Sequence, residues 1–550
     1  MALEGVDIIT LTLALFITSV VIFICILSSK ISGRLGVPTL FVFIVLGMLF
    51  GSDGVFKIAF DNYEFAEQIC SVALIFIMFY GGFGTRWSEA RPVAFKSILL
   101  SSIGVVLTAV LTGLFCYFVL HVDFLEGMLI GSVLGSTDAA SVFSILRSRK
   151  LNLKYGSASM LELESGSNDP FSYMMTIIIL SAMSGSMGGS EIVGMLASQL
   201  FFGLFTGVAV AFVASRFLNR YQFYGEGFDT IFVFAVAIIS YALSSLLGGN
   251  GYLSTYLTGI ILGNQALKNQ KTLVSFFDAC TGLMQILLFF LLGLLSFPSR
   301  MPAIVLPAAA IALFLTFVAR PAAVGLLLAP FKTPLNQYFV VSWAGLRGAA
   351  SIVFAIMVTV SGSNTSIDVF HIVFCVVLFS IIFQGSLLPV LAKKCDMIDE
   401  NADVMKTFTD YTENTQIQFI QLPIGADHPW AGQKIRDISL HPGTLIAVIK
   451  RGEQVVVPKG NTEILAGDTV ILGAEGFSDN REILLKEIRI TQEHRWCNKK
   501  VSEAKFYKNT IIVMIKRGDQ VIIPGGNTGI QDQDLVVVYS QRLPAEAVID

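Results

Sequence analysis

Residues 135–141 of this 550-residue chain read GSTDAAS, and they lie in the middle of an apolar stretch that extends from about residue 125 to 146. Glycine, serine and threonine weaken a helix, so we expect the helix to break here and to free backbone carbonyl oxygens. The break also holds Asp138, and an ionisable side chain costs at least roughly 2.5 kcal/mol to place in hydrocarbon. Small residues can simply allow close helix packing, but packing does not require an aspartate. The segment therefore predicts a cation site inside a membrane span.

A related segment occurs in the second half of the apolar region. Residues 345–351 read GLRGAAS, and they share the glycine and the Ala-Ala-Ser of the first segment at the same spacing, with Arg347 among them. Two interrupted spans in corresponding positions of two halves are the best sequence indication of an inverted-repeat transporter with its site near the midplane. We therefore expect the two breaks to contribute to one site.

The composition supports a membrane location for most of the chain. Apolar residues make up 54% of it and charged residues 14%, with a mean hydropathy of +0.72. An ordinary soluble domain does not tolerate such values, because it would expose large apolar patches. About thirteen apolar stretches are long enough to cross the bilayer; they lie near 8–28, 36–51, 66–83, 97–120, 125–146, 158–182, 190–216, 228–248, 250–265, 277–297, 302–329, 338–360 and 369–391.

Two classes of protein are disfavoured by the same composition. The net charge of −3 and the lack of a basic stripe give no footprint for nucleic acid. The seven cysteines are scattered without C-x-x-C spacing, so neither a disulfide framework nor a zinc site is indicated.

Loop charge predicts the orientation of the spans. Lys and Arg follow the odd-numbered stretches, for example Arg147, Arg149 and Lys150 after the fifth, whereas the opposite loops carry little beyond Lys57 and Arg300. Positive loops stay in the cytoplasm. We therefore predict an N-terminus outside, a cytoplasmic C-terminal region and a location in the cell (inner) membrane, with the first stretch retained as a span.

The polar C-terminal region contains an internal repeat with an offset of 66 residues. Residues 449–455 (IKRGEQV) match residues 515–521 (IKRGDQV). Arg-Gly followed by an acid between two Val/Ile runs is a hairpin signal, because glycine supplies the positive φ of a tight turn. We predict a membrane domain at 1–395 and two β-rich units at 404–483 and 484–550, which either support each other or bind a ligand or partner between them.

Polar side chains also gather at the start of the sixth stretch. Residues 161–170 read LELESGSNDP, which puts Glu164 and Asn168 on one helical face and Ser165 and Asp169 on the adjoining face. Hard alkali cations need several oxygen ligands, which Asp169, Asp138, Ser165, Thr137 and backbone carbonyls could supply. A carboxyl group away from water can hold a proton or a cation, not both. This pattern predicts exchange of the two.

Two arginines occur within the apolar stretches, and a buried guanidinium without a carboxylate is very costly. We expect Arg347 to pair with Glu164 and to preserve the broken-helix geometry. Arg320, which precedes Pro321, is expected to neutralise helix ends or a second acid rather than to take part in transport. Glu162 is either solvated at the helix entrance or functional.

The segments at 136–140, 164–169 and 345–349 resemble the signature regions of the monovalent cation/proton antiporter superfamily, in its NhaP-type branch. The resemblance implies an all-α domain of about thirteen transmembrane helices with inverted repeats and two broken crossing helices, arranged as a dimerisation domain and a six-helix core that moves like an elevator. It implies that Asp169 is the essential ion carboxylate, that Asp138, Thr137 and Ser165 help to ligate, and that Asn168, Glu164 and Arg347 order the site.

Further expectations follow from details of this resemblance. The Asn-Asp pair at 168–169 resembles electroneutral exchangers of one proton for one cation. Some relatives carry an acid just before the double glycine of the third span; here that residue is Tyr80, which makes an auxiliary carboxylate ligand doubtful. A homodimer is implied.

The C-terminal region resembles tandem TrkA-C domains, which are α+β regulatory modules of potassium transporters. Their presence favours K⁺ over Na⁺ and suggests a nucleotide as regulatory ligand, although no phosphate-binding loop identifies one.

The sequence as a whole predicts a secondary cation/proton antiporter that is not an enzyme and has no cofactor of its own. Two alternatives remain, a gated cation channel and a receptor with a relict transport site. A channel needs a filter around a continuous pore, and no filter-like Gly-Tyr-Gly loop occurs in the chain.

Overall fold

The computed structural model of the chain forms two compact units, Met1–Thr412 and Glu413–Asp550. It describes residues 12, 15–28, 38–138, 141–142, 145–146, 151–185, 188–221, 227–265, 267, 269–363, 365–399, 417–426, 428–440, 444–452, 454–475, 485–492, 494–504, 510–517, 520–522 and 524–540. The predicted loop residues Arg147, Arg149 and Lys150 and the motif residues Ala139 and Ala140 lie outside these ranges, as do the ends of both predicted β-rich units.

The regular structure of the first unit, in its described residues, is almost entirely helical. Its main helices are α1 (Leu15–Ser28), α2 (Thr39–Phe50), α3 (Tyr63–Gly84), α4 (Ala94–Val119), α5 (Phe124–Val133), α6 (Ser157–Met183), α7 (Gly189–Arg220), α8 (Phe228–Leu246), α9 (Gly251–Gly263), α10 (Gln270–Leu294), α11 (Pro298–Phe331), α12 (Leu335–Trp343), α13 (Ala349–Val360) and α14 (Val369–Lys394). In the described part of the chain, seven helices are long and apolar enough to cross a membrane, and α1, α2, α5 and α13 are shorter apolar helices. The predicted number of about thirteen spans, and their inverted repeat, stay predictions.

Both predicted helix interruptions are present. Helix α5 ends at Val133, and helical structure resumes by Ser141. Helix α12 ends at Trp343, and α13 begins at Ala349. The residues between the helix ends keep backbone groups that no helix satisfies, which places polar atoms inside an apolar unit.

Helix α3 packs closely against α9 because glycines line the contact. A side chain at Gly82 would collide with the carbonyl of Tyr256, and one at Gly259 would collide with the carbonyl of Phe79. Small residues let helix backbones approach in this way where water cannot drive association. The contact fixes the C-terminal part of α3, including Tyr80, beside α9.

The described residues of the second unit form two four-stranded antiparallel sheets with the same topology. The first sheet has the order β1-β4-β2-β3 and the second β5-β8-β6-β7. The strands are β1 (Ile417–Pro423), β2 (Thr444–Arg451), β3 (Gln454–Val456), β4 (Thr469–Glu475), β5 (Leu485–Arg489), β6 (Thr510–Arg517), β7 (Gln520–Ile522) and β8 (Leu535–Ser540). The predicted hairpins are confirmed, since β2 pairs with β3 and β6 with β7 in equivalent registers.

An Arg–Asp pair recurs in each sheet at the same offset of the sequence repeat. Arg451 donates two hydrogen bonds of 2.8 Å to the two carboxylate oxygens of Asp468, and Arg517 does the same to Asp534. The bonds from Arg451 lower the pKa of Asp468. Burial alone would raise the pKa of Asp534, but the bonds from Arg517 and from the backbone of Gln531 outweigh it and lower that pKa. Each pair ties a hairpin strand to the turn before the next strand.

Candidate functional site

The two interrupted helices meet at their breaks. The backbone N–H of Asp138 donates to the carbonyl of Leu346 at 2.8 Å. The Nη1 group of Arg347 donates to the carbonyls of Gly135 and Ser136 at 2.9 and 2.8 Å. Each break thus supplies partners for the backbone groups that the other leaves open, so the two segments hold each other in place.

Asp138 and Asp169 lie close to this crossing with different partners. The Oγ of Ser141 donates to Asp138 Oδ2 at 2.5 Å, and the backbone N–H of Ser141 donates to Oδ1 at 3.2 Å, so Asp138 caps the helical residues that follow it. Asp169, in α6, is 4% exposed and accepts a hydrogen bond from the Oγ of Ser136. Ser136 therefore links the first break to the buried carboxylate.

Two further predicted residues of α6 reach the first break at Thr137. Ser165 donates its hydroxyl hydrogen to the carbonyl of Thr137. The amide of Asn168 donates to Thr137 Oγ1 at 2.5 Å. Pro170, one residue beyond Asp169, has no N–H, so the carbonyl of Gly166 lacks its usual helical donor. Helix α6 is thus polar along the face that contacts the break.

The prediction that Glu164 pairs with Arg347 is wrong, because Glu164 pairs with a different arginine. Its partner is Arg320 of α11, with 2.5 Å between Glu164 Oε1 and Arg320 Nη1. The side chains of Glu164, Arg320 and Arg347 are all buried. Arg320 reaches Glu164 by lying against Gly345, where a side chain would approach its Nε to 2.7 Å. Arg347 turns to the carbonyls of the first break because these have no helical donor. The expectation that Arg320 neutralises an acid matches this pair.

Two π-helical turns adjoin the site. One, at Leu315–Ala319 in α11, immediately precedes Arg320, and another, at Ser380–Gly385 in α14, starts at Ser380. The Oγ of Ser380 accepts the backbone N–H of Arg347 at 2.9 Å and donates to Gln384 Oε1 at 2.5 Å. Such single π turns are frequent at functional sites, and here each aims a side chain at the helix crossing.

A cavity of about 410 Å³ opens on these residues. Four of the predicted ligands line it: Thr137, Asp138, Ser165 and Asp169. Asn168 is not in the wall, and it contacts the site through Thr137. Neither Glu164 nor Arg320 lines the cavity. The structure therefore brings oxygen atoms of α6 and of the first break together in one space that could hold a small cation.

Sequence reasoning missed several residues of this cavity. Ser136 was part of the quoted motif, but it was not singled out as the donor to Asp169. Asp278, near the start of the predicted span at 277–297, was not among the predicted ligands, yet it lines the cavity and accepts a hydrogen bond of 3.0 Å from the hydroxyl of Tyr80. Glu162 was not missed: the sequence left it as either solvated or functional, and it is buried and lines the cavity. The available signal was the polar spacing of Asp278, Thr281 and Gln285 in an otherwise apolar helix.

Comparison with known protein families gives two matches. Residues 19–394 match the transmembrane domain of the sodium/hydrogen exchanger family. Residues 419–475 and 485–544 each match the TrkA-C domain. The two TrkA-C matches contain the two four-stranded sheets, so the resemblance stated from the sequence is confirmed for both parts of the chain.

Curated relatives extend over most of the chain. The K(+)/H(+) antiporter NhaP2 of Shewanella sp. (strain ANA-3) is 32% identical over 478 residues, which cover 86% of this chain and 83% of that protein. The K(+)/H(+) antiporter NhaP of Alkalimonas amylolytica is 34% identical over 452 residues, with 80% and 78% covered.

A solved structure shares the fold of the helical unit. The sodium proton antiporter MjNhaP1 from Methanocaldococcus jannaschii superposes with a TM-score of 0.62 at 23% sequence identity, covering 70% of this chain and 99% of that one. A fold with multiple membrane helices is therefore shared with that antiporter. From its family match and from the extent of its relatives, this chain belongs to the sodium/hydrogen exchanger family.

Proposed function

We propose that this chain is a cation/proton antiporter in which Asp169 and Asp138 bind a monovalent cation and a proton in turn. The observation that supports this most strongly is that both carboxylates line one cavity, beside the two helix breaks. Its matched relatives are named as K(+)/H(+) and Na(+)/H(+) antiporters.

The hydrogen bonds leave suitable oxygen atoms for a cation. Ser165 gives its hydrogen to the carbonyl of Thr137 and lines the cavity, so toward a cation its Oγ acts as an oxygen ligand rather than as a hydrogen-bond donor. Asp169 receives one hydroxyl hydrogen, from Ser136. With Asp138 and Thr137, these groups form a set of hard oxygen donors of the type that alkali cations require.

Exchange follows from competition for the same carboxylate. A protonated Asp169 has no charge to offer a cation, and a bound cation keeps the proton off. Asn168 is neutral and its amide is engaged by Thr137, so it adds no second charge next to Asp169. We propose on this basis an electroneutral exchange of one cation for one proton.

The carried ion is proposed to be K⁺, with Na⁺ as the second choice. The relatives that cover most of this chain are named as K(+)/H(+) antiporters, whereas the protein with which the helical unit alone superposes is named as a sodium proton antiporter. We further propose alternating access by an elevator movement, a homodimer in the cell (inner) membrane, and an N-terminus outside.

The C-terminal unit is proposed to regulate exchange from the cytoplasm, with a nucleotide as candidate ligand. Removing residues beyond about 400 should leave exchange in place but alter its dependence on pH or on a cytoplasmic solute. A truncated protein with the same pH and solute profile as the full chain would show that the unit is only structural.

The test of the antiporter proposal is an assay in proteoliposomes with an imposed pH gradient. Addition of K⁺, Na⁺, Li⁺ or Rb⁺ should collapse the gradient with the full chain and leave it intact with Asp169→Asn or Asp138→Asn. Asp123→Asn is the matched control, because Asp123 caps α5 outside the cavity and asparagine caps equally well. Wild-type rates in Asp169→Asn would disprove the assigned site.

The channel alternative gains no support from the comparisons, whose curated matches are named as antiporters. The same vesicles separate the two functions. A channel would pass K⁺ without proton movement when the membrane potential is clamped, whereas an antiporter would still move protons.

A further inference from the structure

One face of helix α10 is polar although most of this helix is apolar. Asp278, Thr281 and Gln285 are separated by three and four residues, so they project from one side of the helix, and all three line the cavity that contains Asp169. Helix α10 contributes no residue to the site proposed above. The polar face is therefore a second wall of the same cavity.

Asp278 is held in position by a residue of another helix. The hydroxyl of Tyr80 in α3 donates to its Oδ1 at 3.0 Å. Among the described residues, none forms a hydrogen bond or an ion pair with Oδ2. One oxygen is thus used for positioning, and the other remains able to contact a cation.

Thr281 adds an independent indication of a ligand. Its side chain is 93% buried, since 7% of the residue is exposed, and its hydroxyl has no hydrogen-bond partner in the described part of the chain. A buried hydroxyl without a partner costs free energy, and this one lies in the cavity wall one turn from Asp278. A bound, hydrated ion would satisfy it.

The polar face extends along the depth of the cavity. Seven residues separate Asp278 from Gln285, about 10 Å along a helix. Asp278 is exposed, whereas Asp169 is 4% exposed. Asp278 therefore lies at the open end of the cavity and Asp169 lies at the closed end.

We propose that Asp278, Thr281 and Gln285 form a second binding position for a hydrated monovalent cation, at the mouth of the cavity and ahead of Asp169 and Asp138. The inference rests on the proposed antiport function. Asp278 supplies the negative charge, and the Thr281 hydroxyl and the Gln285 amide oxygen supply neutral ligands. Tyr80 is a positioning residue, because it contacts Asp278 rather than the ion.

The test removes the charge of Asp278 and keeps its hydrogen bond with Tyr80. In Asp278→Asn, the amide oxygen still accepts the Tyr80 hydroxyl, so the contact between α3 and α10 is kept and only the charge is lost. We expect the cation concentration for half-maximal exchange to rise about five-fold, with the maximal rate within about two-fold of wild type, because a nearby charge attracts the ion before it is bound more deeply. Asp229→Asn is the matched control, since Asp229 bonds to Asn269 and does not line the cavity.

Two further variants and a binding measurement complete the test. Thr281→Val, which removes the hydroxyl at nearly constant shape, should raise the half-maximal concentration about two-fold, and Tyr80→Phe should have an intermediate effect. In detergent, bound Rb⁺ should raise the thermal unfolding midpoint of the protein. The Rb⁺ concentration that gives half of this increase should be higher for Asp278→Asn than for wild type, by about the same factor as the half-maximal concentration for exchange.

The outcomes distinguish this inference from the function on which it rests. If the wild-type chain shows no exchange, the antiporter proposal falls. If wild type exchanges, Asp169→Asn is inactive and Asp278→Asn has wild-type half-maximal concentrations, the mouth position is overturned while the antiporter proposal stands. An equal effect of Asp229→Asn would also overturn it, because general surface charge would then explain the change.

Discussion

Arginines that pair with a carboxylate are held by several hydrogen bonds in one unit of this molecule and by fewer in the other. In the C-terminal unit, Arg451 and Arg517 each make a two-pronged contact with an aspartate and a further bond to a backbone carbonyl. In the helical unit, the Arg320–Glu164 contact leaves Nε and Nη2 of Arg320 without a hydrogen-bond partner among the described residues.

The difference indicates what each set of charges does. Each of the repeated Arg–Asp pairs has two hydrogen bonds between the side chains and one to a backbone carbonyl, which suits a part that must keep one geometry. The charges beside the ion cavity are held by fewer bonds, so a rearrangement of the helix crossing has fewer of them to break. Charge balance in the helical unit therefore depends on few contacts. Substitutions in its ion pair should change stability more than substitutions in the Arg–Asp pairs of the C-terminal unit.

The largest effect is expected from Glu164→Gln. It leaves Arg320 and Arg347 buried and close enough to influence each other, without the carboxylate that acts on both. Breaking a buried pair typically costs about 3–5 kcal/mol. The expected result is a strongly lowered thermal unfolding midpoint in detergent together with loss of exchange.

The double variant Glu164→Gln/Arg320→Gln is the control for that prediction. It removes the excess positive charge and should recover part of the lost midpoint. A double variant that is less stable than the single one would show that Glu164 does not serve to neutralise Arg320. The account given for the charges of the helical unit would then be wrong.

A smaller effect is expected from Asp534→Asn in the C-terminal unit. It removes the charge-assisted bonds to Arg517, whose side chain is 33% exposed and can be rehydrated. The expected loss is therefore about 1–2 kcal/mol in the free energy of unfolding. The measurement is urea unfolding of the full chain, followed by the fluorescence of Trp430 and Trp496 after Trp87 and Trp343 are replaced by phenylalanine.

Asp437→Asn provides the comparison variant for this measurement. Asp437 forms an exposed pair with Arg436 at 3.6 Å, and such a pair adds little stability. Equal urea midpoints for the Asp534 and Asp437 variants would mean that the repeated pairs are no stronger than an ordinary surface contact.

The smallest effect concerns pH. The pKa values of Asp468 and Asp534 are lowered in the folded unit. Their stabilisation is therefore complete above the ordinary aspartate pKa of about 3.9 and is lost as the pH falls through the lowered folded values. We expect the urea midpoint of the Trp430 and Trp496 signal to be constant above about pH 5 and to fall below it, as the pH approaches the lowered folded pKa values. This decrease should be smaller in Arg451→Gln/Arg517→Gln, and an unchanged decrease would exclude these two pairs as its source.

Much of the architecture was predictable because it depends on local chemistry. The helix-weakening residues at 135–141 and 345–351 predicted the two interruptions, and the Arg-Gly turns predicted both hairpins. These features follow from what each residue type does to the backbone near it. The same reasoning gathered Asp138, Asp169, Thr137 and Ser165, which line one cavity.

The partners of the arginines were less predictable, since they depend on distances between helices that are remote in sequence. Arg320 takes Glu164 because Gly345 leaves room for its side chain and because Arg347 is drawn to open carbonyls. The contact between Tyr80 and Asp278 spans 198 positions and has no local signal.

The cation-binding role proposed for Asp138 competes with a structural role of the same side chain. Its carboxylate already holds the first turn of the helical residues after the break, through both oxygens. A cation that draws on this carboxylate weakens the cap, and a helix cap contributes on the order of 1 kcal/mol. In the proposed exchange, ion binding and the anchoring of that helix are therefore thermodynamically linked: a cation bound in the cavity would loosen one end of a helix, and the backbone would register it there.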